Sequence, residues 1–205
     1  MQKKSFVRQN IFPVITALIW GTAFAAQSVA AERIEPFTVN ALRSGVAVIA
    51  LLVISRVFSK REKPSGTRRD LAVGGIACGV LLFAASNLQQ LGLGHTTAGK
   101  AGFITTLYVV LVPVFGAVLG RRAPLRVWIS AVISAAGLYF LCMSGSLTIE
   151  RGDLYVLLCA VVFAFHILCI DHFVTKTDGI MLSCVQFLTV TVLSGVCAMV
   201  FESPD

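Results

Sequence analysis

The stretch Ile11-Phe-Pro-Val-Ile-Thr-Ala-Leu-Ile-Trp20-Gly-Thr-Ala-Phe-Ala-Ala-Gln-Ser-Val-Ala-Ala31 carries no charged side chain in 21 residues. A helix of about 20 predominantly apolar residues spans a bilayer core, so this run reads as a membrane helix. A secretory leader is the competing reading, because Lys3, Lys4 and Arg8 precede the run and Val29-Ala30-Ala31 resembles a cleavage site. Its length exceeds the 7–15 residues of a leader's apolar core, and further runs follow it. It reads as a retained first span.

Six more runs follow: Phe37–Phe58, Leu71–Leu93, Ala98–Gly120, Leu125–Ser144, Asp153–Val174 and Ile180–Phe201. None alternates apolar with polar as barrel strands do. Backbone in lipid must satisfy its own hydrogen bonds, so each run is expected to be helical. The fold class is all-α integral membrane, with about seven helices. Composition agrees: the 205 residues are 57% hydrophobic and 13% charged, with mean hydropathy +0.85. A soluble domain and a disordered chain are both excluded.

The formal charge of +7 is distributed by side. Lys3, Lys4, Arg8, Arg56, Lys60, Arg61, Lys63, Arg68, Arg69, Arg121, Arg122, Arg126 and Lys176 fall at one end of the spans. Arg33, Lys100 and Arg151 fall at the other. The loops are short, so this bias puts the N-terminus in the cytoplasm. No contiguous basic surface of the kind that tracks phosphates is present, so no nucleic-acid partner is expected. The partners implied are the lipid bilayer and a small-molecule substrate, with a homodimer possible.

The six cysteines all lie in apolar runs without C-x-x-C spacing. They read as small buried residues rather than as a disulfide framework or metal site. No metal and no cofactor are expected. Gly75-x-x-x-Gly79 and Gly116-x-x-x-Gly120 permit close helix contact, and Pro113 is placed to kink the fourth span.

A shift of 143 residues brings Ala17 onto Ala160, Trp20 onto Phe163, Asn40 onto Ser183 and Arg43 onto Gln186. Five spans separate the copies, so the second would be inverted in the membrane, an architecture many secondary transporters share.

Four parts of the chain add a likeness to a known family. Ala17-Leu-Ile-Trp20-Gly21-Thr-Ala-Phe24 resembles the first helix of EamA-type transporters of the drug/metabolite transporter superfamily. Pro36-Phe-Thr-Val-Asn40-Ala-Leu-Arg43 resembles the second-helix entry. Thr97-Ala-Gly-Lys100-Ala-Gly-Phe-Ile104 through Leu111-Val-Pro113-Val is similar to the fourth helix. Phe165-His166-Ile167, Ile170-Asp171 and Gln186-Phe187 resemble the start of a second repeat. The resemblance implies ten helices in two five-helix repeats. Residues 11–144 would be the first repeat, and 153–201 the first two helices of an incomplete second. Either the chain is a piece of a longer protein or a shortened form exists. The resemblance also implies a bacterial plasma membrane location.

Ionised groups at the centre of a span cost about 2.5–3.5 kcal/mol on the insertion scale, so polar residues there are candidates for function. Arg43 lies about two turns into its span and is able to hold a carboxylate bidentately; snorkelling to the headgroups is the alternative. Asn40 shares its helix face. Asn87, Gln89 and Gln90 cluster in the third span, able to bond a polar solute or a neighbouring helix. His166 sits mid-span, as a packing residue or a proton carrier; Asp171 and His172 lie nearer the inner end of that helix. Lys100 is a candidate through the family likeness. Trp20 and Tyr108 offer aromatic walls, and Gln186 is the repeat counterpart of Arg43.

The candidate substrate-binding set is therefore Trp20, Asn40, Arg43, Asn87, Gln90, Lys100, Tyr108, His166 and Gln186. The function expected is secondary transport of amino-acid-like or drug-like metabolites by alternating access. No phosphate-binding G-x-x-x-x-G-K-[ST] loop is present for ATP drive, and no H-E-x-x-H or close acidic pair for an enzyme. A seven-helix photoreceptor is disfavoured by the charge bias and by a last span without Lys. A non-transporting scaffold or partner subunit is the main alternative.

Overall fold

The computed structural model describes residues 2–58, 66–121, 123–143 and 150–202. The described part is built of helices: α1 (Gln2–Ala31), α2 (Pro36–Phe58), α3 (Arg68–Leu93), α4 (Ala98–Thr106), α5 (Tyr108–Val118), α6 (Leu125–Met143), α7 (Arg151–Val174) and α8 (Gly179–Phe201). Six segments are long and apolar enough to cross a bilayer, α4 and α5 forming one of them; α6 adds a shorter apolar stretch, Leu125–Gly137. The chain is an all-helical, multi-pass membrane protein. Ser144, the expected end of the fifth span, lies outside the described residues, as do Lys60, Arg61, Lys63 and Arg122.

Interhelix contacts fix the direction of each helix. At one end of the bundle, the Glu202 carboxylate beyond α8 accepts from Phe37 N at 2.6 Å and Thr38 N at 2.9 Å, in the first turn of α2. The orphan amides of a helix start and its positive dipole end are thereby satisfied by an acid from another helix. The start of α2 thus meets the end of α8, and the two are antiparallel. At the same end Thr96, just before α4, donates to Asp153 at the start of α7 (2.8 Å). At the other end Arg121, just after α5, pairs with Asp171 near the end of α7, and Gly66 N donates to Lys176 O at 2.8 Å. This second end holds Arg56, Arg68, Arg69 and Arg126, and is called the basic end below.

The chain leaves α5 at the basic end and enters α7 at the opposite end, so α6 must carry it across. Its 19 residues extend about 28 Å at 1.5 Å per residue, close to the hydrocarbon thickness. The α1–α2 turn lies at the end opposite the basic one, and the α7–α8 turn at the basic end. The two helical hairpins are therefore inverted relative to one another.

The core lies where α2, α3, α7 and α8 meet; the most extensive contacts join α3 to α7, α2 to α8 and α3 to α8. Glycine makes that approach possible. A Cβ at Gly75 would collide with the Val185 side chain, and one at Gly79 would lie 2.5 Å from Thr189 Cβ, both on α8. The first G-x-x-x-G is thus a packing face. The second divides its work. Gly116 is buried, but Gly120 faces open space at φ +78 and caps α5, with Arg121 N bonded to Gly116 O at 2.9 Å. That is a Schellman ending, which needs a left-handed residue. The interruption of the fourth span falls at Leu107, six residues before Pro113. Among the described cysteines all are free; Cys78, Cys159 and Cys184 are buried.

Candidate functional site

A chain of polar side chains crosses four helices in the half of the bundle away from the basic end. Asn40 is fully buried (0% exposed) on α2. Its Nδ2 donates to Asn87 Oδ1 at 3.0 Å and Ser86 O at 3.2 Å, both on α3. Asn87 Nδ2 continues to Ser194 Oγ on α8 at 3.3 Å. In the other direction Asn40 Oδ1 accepts from Arg43 Nη2 at 2.6 Å, and Arg43 Nη1 donates to Gln27 Oε1 on α1. Gln27 in turn offers its backbone carbonyl to Gln90 Nε2 at 3.1 Å. Amides suit this role because each both donates and accepts, so a buried run of them can satisfy itself. One acceptor departs from that rule: Gln90 Oε1 is buried without a partner among the described residues. Arg43 lies seven residues into α2, about 10 Å from the helix start.

A second cluster lies nearer the basic end. His166 on α7 and Gln186 on α8 are both buried, with Nε2 and Oε1 3.1 Å apart. Aromatic rings extend the cluster across the bundle. The Tyr108 ring lies 6.5 Å from Trp20 and 6.2 Å from Phe163, and Phe163 lies 6.1 Å from His166. Trp20 and Phe163, which coincide under the 143-residue shift, thus flank one tyrosine. Gln186 lies eight residues from Ser194 on α8, about 12 Å along the axis, and it joins His166 rather than the Arg43 cluster.

Lys100 belongs to neither group. Its Nζ lies 2.5 Å from Asp153 Oδ2, an ion pair joining α4 to α7 at the end opposite the basic one. Asp171 and His172 also bond at the basic end, Asp171 to Arg121 and His172 to Lys176. Gln89 donates to Thr105 on α4 at 3.2 Å. Of the nine candidates, four fall in the first cluster, four in the second, and Lys100 stands apart.

Sequence reasoning missed Gln27, Ser194 and Asp153. Gln27 had a signal: it is the one amide in the uncharged run Ile11–Ala31. Ser194 had none, because serine is common in apolar spans. Asp153 was read as the boundary of a span, and pairing across helices is invisible to spacing.

Two concavities lie outside both clusters. A groove of about 490 Å³ between α1, α4 and α6 is lined by Gly21, Phe24, Gly99, Gly102 and Gly137 among others, and is almost wholly apolar. A polar hollow of about 730 Å³ at the end opposite the basic one includes Glu32, Arg33, Glu35, Thr38 and Glu202. Among the described residues no group of three or more His, Cys, Asp or Glu side chains is arranged to hold a metal ion.

Spanning helices joined by buried amides and a guanidinium define a polytopic membrane protein with a polar interior. Residues 8–143 match the EamA-like transporter family, and the chain belongs to that family. It is similar to an uncharacterized transporter of Archaeoglobus fulgidus, 30% identical over 181 residues, which cover 88% of this chain and 54% of the relative. A second uncharacterized transporter of that organism is 29% identical over 143 residues, covering 68% and 47% of the two chains. The chain thus spans about half the length of the curated relatives it matches. No solved structure matches it.

Proposed function

We propose that the protein is a secondary transporter that moves small organic metabolites, amino-acid-like or drug-like, across the cell membrane by alternating access. The observation that carries this reading is the hydrogen-bonded run Gln27–Arg43–Asn40–Asn87–Ser194 inside apolar helices. Gln27, Asn40, Asn87 and Ser194 are buried, and Arg43 joins them from an exposed position; polar and ionised groups within membrane helices are costly, and in such proteins they mark substrate pathways. Residues 11–144 form the first repeat, and 153–201 begin an inverted second. The antiparallel packing of α2 on α8 supports that relation, and the Lys and Arg bias supports a cytoplasmic N-terminus.

The ion pairs support the mechanism. Lys100–Asp153 and Arg121–Asp171 tie the α4–α5 span to the two ends of α7, and the span is interrupted between them at Leu107. Rocking that opens one end must break one pair while the other holds, which is how alternating access about a midplane site works. The test is uptake by proteoliposomes holding the full-length gene product, presented with a mixed metabolite library and read by mass spectrometry against protein-free vesicles. Enrichment of a defined solute class is expected. A profile identical to protein-free vesicles contradicts transport and favours a scaffold role.

A further inference from the structure

We propose that the solute is held by a carboxylate on Arg43, so that the protein selects organic acids and amino acids over the corresponding carboxamides, which lack that negative charge. This deepens the transport reading and rests on it. The guanidinium is oriented from two sides: Gln27 Oε1 takes Nη1 and Asn40 Oδ1 takes Nη2, at 2.6 Å for the latter. Both partners are neutral, and both are themselves anchored, Gln27 at 8% and Asn40 at 0% exposure. The cation is therefore aimed without being neutralised.

Among the described residues the ion pairs are Lys100–Asp153 and Arg121–Asp171, and neither involves Arg43. Asp153 is held by Lys100 and Thr96, and Glu202 by the first amides of α2; Glu32 and Glu35 line the polar hollow at that end, and no ion pair among the described residues joins either to Arg43. The α2 helix itself contains no Asp or Glu. Guanidinium carries five N–H donors in a planar fork, and the two amide oxygens take two. Arg43 lies on an exposed face of α2, beside the sparse contact between α1 and α2, so the remaining donors are reachable. A solute carboxylate supplies both the missing charge and the paired acceptors that a guanidinium fork matches.

The test uses the full-length gene product in proteoliposomes and matched pairs: L-leucine against L-leucinamide, lactate against lactamide, and further short acids each against its own amide. Uptake is read above protein-free vesicles. The expected result is an acid preference of about tenfold or more, lost in Arg43→Gln and partly kept in Arg43→Lys. The wild-type ratio needs no variant, so misfolding of either variant leaves the outcome decisive. Equal uptake of acids and amides, or an acid preference that survives in a folded Arg43→Gln protein, overturns the inference while leaving transport standing. Uptake confined to cationic drug-like solutes does the same. If no solute of any class moves, the transport reading falls and this inference falls with it.

Discussion

The hairpins α1–α2 and α7–α8 are built to one plan and filled with different chemistry. In each, the first helix sends a side chain to hold a residue seven positions into the second: Gln27 holds Arg43, and His166 holds Gln186. In each, the first helix also places an aromatic ring against Tyr108, Trp20 from α1 and Phe163 from α7. The hairpins run in opposite directions, so Arg43 and Gln186 lie about 10 Å from opposite ends of the bundle. One hairpin presents a fixed cation on an exposed face, and the other a buried histidine–glutamine pair. Equal geometry with unequal charge distinguishes two faces of a bundle that would otherwise be interchangeable, and the carboxylate site proposed above belongs to the first hairpin.

Breaking the charged half should have the largest effect. Arg43→Gln is expected to lower uptake on the order of 100-fold, since a charged hydrogen-bonding group is lost where water is scarce. Membrane insertion should be retained, as judged by a monodisperse peak in detergent. The charge asymmetry is tested in the other hairpin by His166→Phe. It leaves Gln186 without its partner, and uptake should fall by about tenfold, clearly less than for Arg43→Gln. Comparable losses in both variants would mean that the two clusters contribute equally.

The frame that holds the hairpins together is tested next. Gly75→Leu drives a side chain into Val185 and should destabilise the α3–α8 contact by about 1–3 kcal/mol, seen as a lower thermal midpoint in detergent. Lys100→Met removes one partner of the Asp153 ion pair, whose lysine is partly exposed. A loss of about 1 kcal/mol is expected, with a larger effect on uptake kinetics than on stability if the pair is a latch. The mildest probe uses no mutation: Cys78 and Cys169 have sulfurs 3.4 Å apart across α3 and α7. Copper-phenanthroline should bridge them within one chain, and replacing either by serine should prevent it.

Much of this was legible in the residues. Apolar runs of about 20 residues dictate helices, and the runs match the elements within about three residues, except that α1 begins nine residues before its apolar run. Arg43 and Asn40 stood out because polar groups in such runs are rare, and their three-residue spacing placed them on one face, where they bond. Lys100 was visible as a charge, but its partner lies 53 positions away at the start of another helix. Spacing encodes neighbours along one helix and says nothing of which helices meet. The break in the fourth span was expected at Pro113 and falls at Leu107. The proline ring and its missing N–H act on the carbonyl four residues earlier, Val109, so they do not by themselves account for a break at Leu107. Gly120 looked like half of a packing motif, and only its positive φ reveals a cap.

The inversion of the two hairpins is the premise on which the proposed alternating access depends. It is tested most directly by single cysteines introduced at Ile34, in the α1–α2 turn, and at Thr175, in the α7–α8 turn, both exposed. Reactivity with a membrane-impermeant maleimide is compared in intact and permeabilised cells, above the background of native cysteines in apolar stretches. Labelling of Ile34→Cys in intact cells, with Thr175→Cys labelled only after permeabilisation, is the predicted result. Labelling of both positions from the same side would contradict it.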